Sequence, residues 1–230
     1  DDLHFNYRPL LGQICHSVPF YIALGNHEGE RKHHFNYPIA PPNNLPINGT
    51  IARKKYFPNP YPNTFYSGNT ASESWGVDKP ENYYAWTWGD ALYVVLDVYR
   101  YQNVNSDKPQ NWDWTLGLKQ YNWLKTTLEG STAKYKFVFA HHVMGTGQGA
   151  VEVSYDYEWG GKDPKGATSF AKERPNWELP IHDLMVKNRV ISSKFKIKLS
   201  FLIFILTLVC FQFETGYALV KQGSTCQKKG

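Results

Sequence analysis

Apolar positions along the chain fall into short runs with helical or strand periods, separated by stretches dense in turn-forming residues. From Tyr7 to Val18, Leu10, Leu11, Ile14 and Cys15 recur at helical spacing and predict a short helix after Pro9. Phe20 to Leu24 is an apolar run stopped by Gly25 and Asn26, the pattern of a buried strand that ends in a turn. Tyr83 to Trp88 and Ala91 to Asp97, joined by Gly89 and Asp90, predict a two-residue hairpin. The second arm is almost wholly apolar, as expected for a strand covered on both faces. Thr115 to Leu128 places Leu118, Tyr121, Leu124 and Leu128 on one helical face, with Gly130 as the stop signal. Tyr135 to Ala140 predicts another buried strand and runs directly into His141 and His142. Pro180 to Lys187 predicts a final helix with Ile181, Leu184 and Met185 inward. Residues 29–82 are rich in Pro, Asn, Gly and Tyr, which predicts a long ordered loop or insertion. Loops of that length inside a domain are usually functional. The element order gives a mixed α/β fold, without internal repeats.

Composition changes this picture at one place. Of 230 residues, 42% are apolar and 16% aromatic, which excludes a disordered chain. The net charge of +5 resides in residues 194–230, where six lysines face one acid, Glu214. Residues 1–193 are neutral, so they lack the clustered basic surface of a nucleic-acid binder. All eight tryptophans and all eight histidines lie before residue 183, and the tail has neither. The tail's apolar run, Leu199 to Phe213, would span only ~22 Å as a helix, short of a ~30 Å hydrocarbon core. It is weak support for a membrane anchor, and a buried strand pair, or non-native sequence never selected as protein, fits it at least as well. Cys15, Cys210 and Cys226 have neither disulfide-framework nor zinc-cluster spacing.

Chemistry concentrates at two strand ends. Gly25, Asn26, His27 and Glu28 follow the run ending at Leu24, and His141 and His142 follow the run ending at Ala140. Ligands of open α/β sheets collect outside the carboxyl ends of strands. An imidazole fixed there suits either metal ligation or proton transfer. His33 and His34, inside the insertion, have no such placement.

Leu24-Gly-Asn-His-Glu28 resembles the Gly-Asn-His-Asp/Glu block of the calcineurin-like metallophosphoesterases, and Phe137-Val-Phe-Ala-His-His142 resembles a later histidine block of the same superfamily. Glu81 to Asp97 is also similar to the hairpin that precedes that block. The resemblance covers roughly residues 5–190 and implies a four-layer αββα sandwich that hydrolyses phosphate esters with two divalent or trivalent metal ions, iron, zinc or manganese. Such pairs share a hydroxide that attacks phosphorus and stabilise the phosphoryl oxygens. On the family pattern, Asn26 and His141 are ligands of one metal, and His27 holds or protonates the substrate. Glu28 would orient His27, and His142 would line the substrate cleft. The insertion aromatics (Tyr56, Tyr61, Phe65, Tyr66 and Trp75) and the glycine loop Gly145–Gly149 would rim that cleft.

The chain departs from the pattern at both ends. The Asp-x-His and Gly-Asp-x-x-Asp blocks would precede Asp1, and Gly-His-x-His would follow Val190, where the tail begins. The sequence therefore predicts a partial phosphoesterase domain over 1–193, incomplete at both ends, and an atypical tail over 194–230. With two ligands of one metal and no bridging carboxylate, weak metal binding and poor hydrolysis are expected. A second class is an aromatic-rich binding module, suggested by Trp75, Trp86, Trp88, Trp112 and Trp114. Trp86 and Trp88, at period two on a hairpin, are better explained as one packed face. A third is a membrane-tethered protein using 199–213. The expected partner is a small phosphate ester and not nucleic acid. The sequon Asn48-Gly49-Thr50, placed in a loop, favours a secreted or periplasmic location slightly.

Overall fold

The predicted hairpin is the centre of the sheet. The computed structural model describes residues 2–25, 28, 30, 39–101, 111–141, 156–163 and 165–191. Strands β2 (Tyr84–Trp88) and β3 (Ala91–Val95) pair antiparallel across the Gly89-Asp90 turn, with Tyr84 opposite Val95. Gly89 has φ +56°, the positive value that such a tight turn requires. Strand β4 (Tyr135–Phe139) lies parallel to β3, and the two-residue β1 (Ser67–Gly68) closes the other side of β2. The order is β1-β2-β3-β4, a mixed four-stranded sheet.

The parallel β3–β4 pair needs a crossover, and helix α3 (Gly117–Gly130) lies within it. Its Tyr121, Leu124 and Leu128 pack with Ala85, Leu92 and Val94 from one sheet face. Helix α6 (Ile181–Lys187) adds Ile181 and Leu184 to the same cluster, with Met185 partly buried against it. The opposite face carries aromatics. Tyr21 stacks on Trp86 at 4.3 Å, Trp86 on Tyr93 at 5.1 Å, and Tyr93 on Phe137 at 5.6 Å. The strand alternation thus sends aliphatic side chains to the helices and aromatic ones to the other side.

Helix α1 (Asp2–Cys15) starts earlier than the periodicity predicts and runs through Pro9. Phe20 to Leu24 is buried at Ile22 and Leu24 but is not a strand, because no neighbouring strand among the described residues pairs with it. Asn59 takes that neighbour's place. Its Oδ1 accepts from the Ile22 N–H at 3.1 Å, and its Nδ2 donates to the Ile22 carbonyl at 3.0 Å.

The 29–82 insertion is more regular than its composition suggests. It contains helix α2 (Leu45–Tyr56), capped by Asn44, whose Oδ1 accepts from the Ile47 N–H at 3.1 Å. The sequon is therefore helical and not in a loop, with Asn48 exposed and Thr50 fully buried. In α3, Leu118 is exposed and Gln120 takes the inward place, bonding both backbone groups of Asp97. Trp86 and Trp88 share the aromatic face, linked edge-on through Tyr66 and Phe65, but that face is packed only at Trp86, and Trp88 is 69% exposed. Two short helices, α4 (Tyr157–Gly160) and α5 (Phe170–Glu173), precede α6. The whole 194–230 tail, with its apolar run 199–213, lies outside the described residues. Among the described residues no helix is long and apolar enough to cross a membrane.

Candidate functional site

Two of the sequence's candidate blocks meet at the carboxyl end of the sheet. β3 and β4 are parallel with Val95 opposite Phe139, so the chain leaves both strands on the same edge. Two residues further on stand Asp97 and His141. The buried segment ending at Gly25 arrives at the same edge, and the His141 imidazole lies directly on Gly25. A Cβ at position 25 would stand 2.4 Å from His141 Cε1 and Nδ1 and 2.7 Å from Cγ. Gly25 is therefore required for close approach and not for a left-handed backbone. Residues 116 positions apart in the chain form one surface.

Tyr99 supports the ring from its other neighbour, with an edge-to-face contact at 5.9 Å between centroids. The Glu28 Oε2 accepts the Gly25 N–H. Burial pushes the Glu28 carboxyl up to about 7, against the lowering effect of that amide, with Glu30 and Asp97 adding repulsion. Asp97 is 1% exposed. Its Oδ2 accepts from Asn82 Nδ2 at 2.7 Å, and its Oδ1 accepts from the N–H groups of Tyr99 at 3.0 Å and Arg100 at 3.1 Å. Burial raises its pKa from the ordinary carboxylate range despite these donors.

Of the residues the sequence nominates, His141 is described and half-buried at this edge. Asn26, His27 and His142 lie outside the described residues, as do His33, His34 and the Gly145–Gly149 loop. Glu28 is described, and the partner it shows is the Gly25 amide. The insertion aromatics do not gather around His141. Tyr66 packs edge-on to Trp86 at 6.1 Å, and Tyr56 meets Phe5. Phe65 lines a cavity of about 790 Å³ at the other end of the sheet, together with Thr87, Asp90, Trp123, Thr126 and Lys134. At ~3.3 Å per strand residue, that cavity is about 20 Å from His141.

Sequence reasoning missed Asp97, Asn82, Tyr99 and Arg100 as parts of this edge. Asp97 ends an apolar run, the one signal that could have nominated it. A strand-end imidazole held against a glycine is fixed in place. Among the described residues, no group of three His, Cys, Asp or Glu side chains is placed to hold an ion. No protein-family model, curated protein or solved structure matches the chain.

Proposed function

We propose that this chain carries the histidine side of a metal-dependent phosphate-ester hydrolase site of the calcineurin-like metallophosphoesterase type. The observation that supports it is the His141 imidazole lying on Gly25, which joins the two blocks the resemblance is built on. The proposed fold is the four-layer αββα sandwich, incomplete at both ends. Support for it comes from a sheet with helices α3 and α6 on one face and a stacked aromatic face on the other.

In this reading His141 and Asn26 are ligands of one metal, His27 serves the substrate, and His142 lines the cleft. Two bound metal ions (iron, zinc or manganese) would supply a hydroxide at neutral pH and neutralise the phosphoryl oxygens. The chain's own contribution is placement. Gly25 admits the His141 ring, Tyr99 braces it, and the Glu28 carboxyl binds the Gly25 amide.

The test is hydrolysis of p-nitrophenyl phosphate and bis(p-nitrophenyl) phosphate with added Mn²⁺, Zn²⁺ or Fe²⁺. Wild type is compared with His27→Ala and His141→Ala. Slow metal-dependent turnover that both substitutions remove supports the proposal. Turnover indifferent to both refutes it.

A further inference from the structure

We propose that Glu30 and Arg100 are positioning residues that hold the two histidine-bearing ends of this site against one another. The inference takes the identity of the site from the function proposed above, but the contacts that carry it are independent of metal or substrate. Glu30 lies two residues beyond Glu28 and is 3% exposed. Its carboxylate accepts from Arg53 Nε at 2.6 Å and Arg53 Nη2 at 3.3 Å. The Thr50 hydroxyl lies 2.8 Å from the same carboxylate, and Arg100 Nη1 reaches it at 3.4 Å. Arg100, 2% exposed, donates to Thr50 Oγ1 at 3.0 Å and grips Glu73 with both Nε and Nη2. Its backbone N–H and that of Tyr99 share Asp97 Oδ1.

These contacts close a ring. From Gly25 the chain runs five residues to Glu30, Glu30 binds Arg100, Arg100 adjoins Tyr99, Tyr99 meets His141, and His141 returns to Gly25. The same network brings in α2 through Thr50 and Arg53, and the loop around Glu73. A buried ion cluster is a poor source of net stability, because well-packed apolar groups often replace one at no loss. What it adds is direction: a guanidinium fork fixes the angle between the groups it joins. Here the groups joined are Glu30, five residues beyond Gly25, and the Asp97–Arg100 segment whose Tyr99 braces His141. Through these contacts Glu30 and Arg100 act on the His141 surface by way of Tyr99 and the chain from Gly25.

NMR on the full chain tests this. The diagnostic signal is the cross-peak between the His141 ring and the Gly25 α-protons, and the control is the Tyr93–Phe137 cross-peak across β3 and β4. Glu30→Gln keeps the shape and removes the charge, and it should lose the Gly25–His141 peak while the sheet peak persists. Glu73→Gln perturbs the network from its partly exposed side and should weaken the same peak selectively. It decides the matter if Glu30→Gln does not fold. Retention of the Gly25–His141 peak at wild-type intensity overturns the inference. So does a loss in Glu73→Gln that the sheet peak shares equally. Failure of the hydrolysis test would instead remove the proposed function, and leave this result to stand or fall alone.

Discussion

Gly25→Ala separates two opposed effects whose sizes can be compared. At an unstrained site the substitution stabilises by ~0.4–1 kcal/mol, because it restricts the unfolded chain. Here the added methyl would stand 2.4 Å from two His141 ring atoms and 2.7 Å from a third. Carbon atoms prefer ~3.5–4.0 Å, so the ring must retreat by more than ~1 Å. Rotation about the ring's own axis does not clear Cγ, which lies on that axis. The clash therefore moves the whole side chain or the backbone of the buried segment. Overpacking of this kind costs ~1–3 kcal/mol, which outweighs the entropic gain. Urea denaturation followed by tryptophan fluorescence should show Gly25→Ala destabilised by ~1–2 kcal/mol net. In a His141→Ala background the ring is gone, and the same change should be neutral or stabilising. Equal destabilisation in both backgrounds would refute the contact as the cause.

Three further outcomes follow from the packing. Glu28 has a folded pKa of about 7 against 4.5; the folded state therefore binds its proton more tightly, and stability falls as pH rises from about 4.5 to about 7. The fall is at most ~3 kcal/mol and should vanish in Glu28→Gln, as read by denaturation at a series of pH values. Arg174→Met should destabilise by ~3–5 kcal/mol in urea, because it strands the fully buried Glu158 that it binds at 3.1 Å. Its double with Glu158→Leu should recover part of that loss. Ile181→Ala removes a fully buried side chain under the sheet and should cost ~2–5 kcal/mol with the aromatic face unaffected, as read by near-ultraviolet circular dichroism.

The hairpin, α3, β4 and α6 are legible in the sequence as elements, although β4 is only half-buried where a buried strand is expected, and α3 turns Gln120 inward in place of Leu118. Helix α2 is not, since its Asn and Pro residues read as turn formers. Asn44 and Pro46 in fact occupy the cap and first turn, where such residues belong. Phe20 to Leu24 has a strand's composition, but a ladder needs a partner, and Asn59 supplies the bonds instead. That partnership spans 37 residues, and no local pattern announces it. The site divides the same way. The strand-end blocks are visible as polar groups interrupting apolar runs, so His141 and Glu28 can be nominated from sequence. The Glu30–Arg100–Glu73 network cannot, because its charges look like ordinary surface charges until α2 and the β3 end bury them.

The measurement that bears most directly on the central claim is paramagnetic broadening of the chain's NMR signals by Mn²⁺. The two ends of the sheet, about 20 Å apart, offer distinct outcomes. Gly25, Tyr99 and His141 should broaden first, at Mn²⁺ concentrations that leave Thr87, Asp90 and Lys134 sharp, and His141→Ala should remove the effect. Broadening centred on the Phe65–Trp123 cavity, or unchanged by the loss of His141, would contradict it.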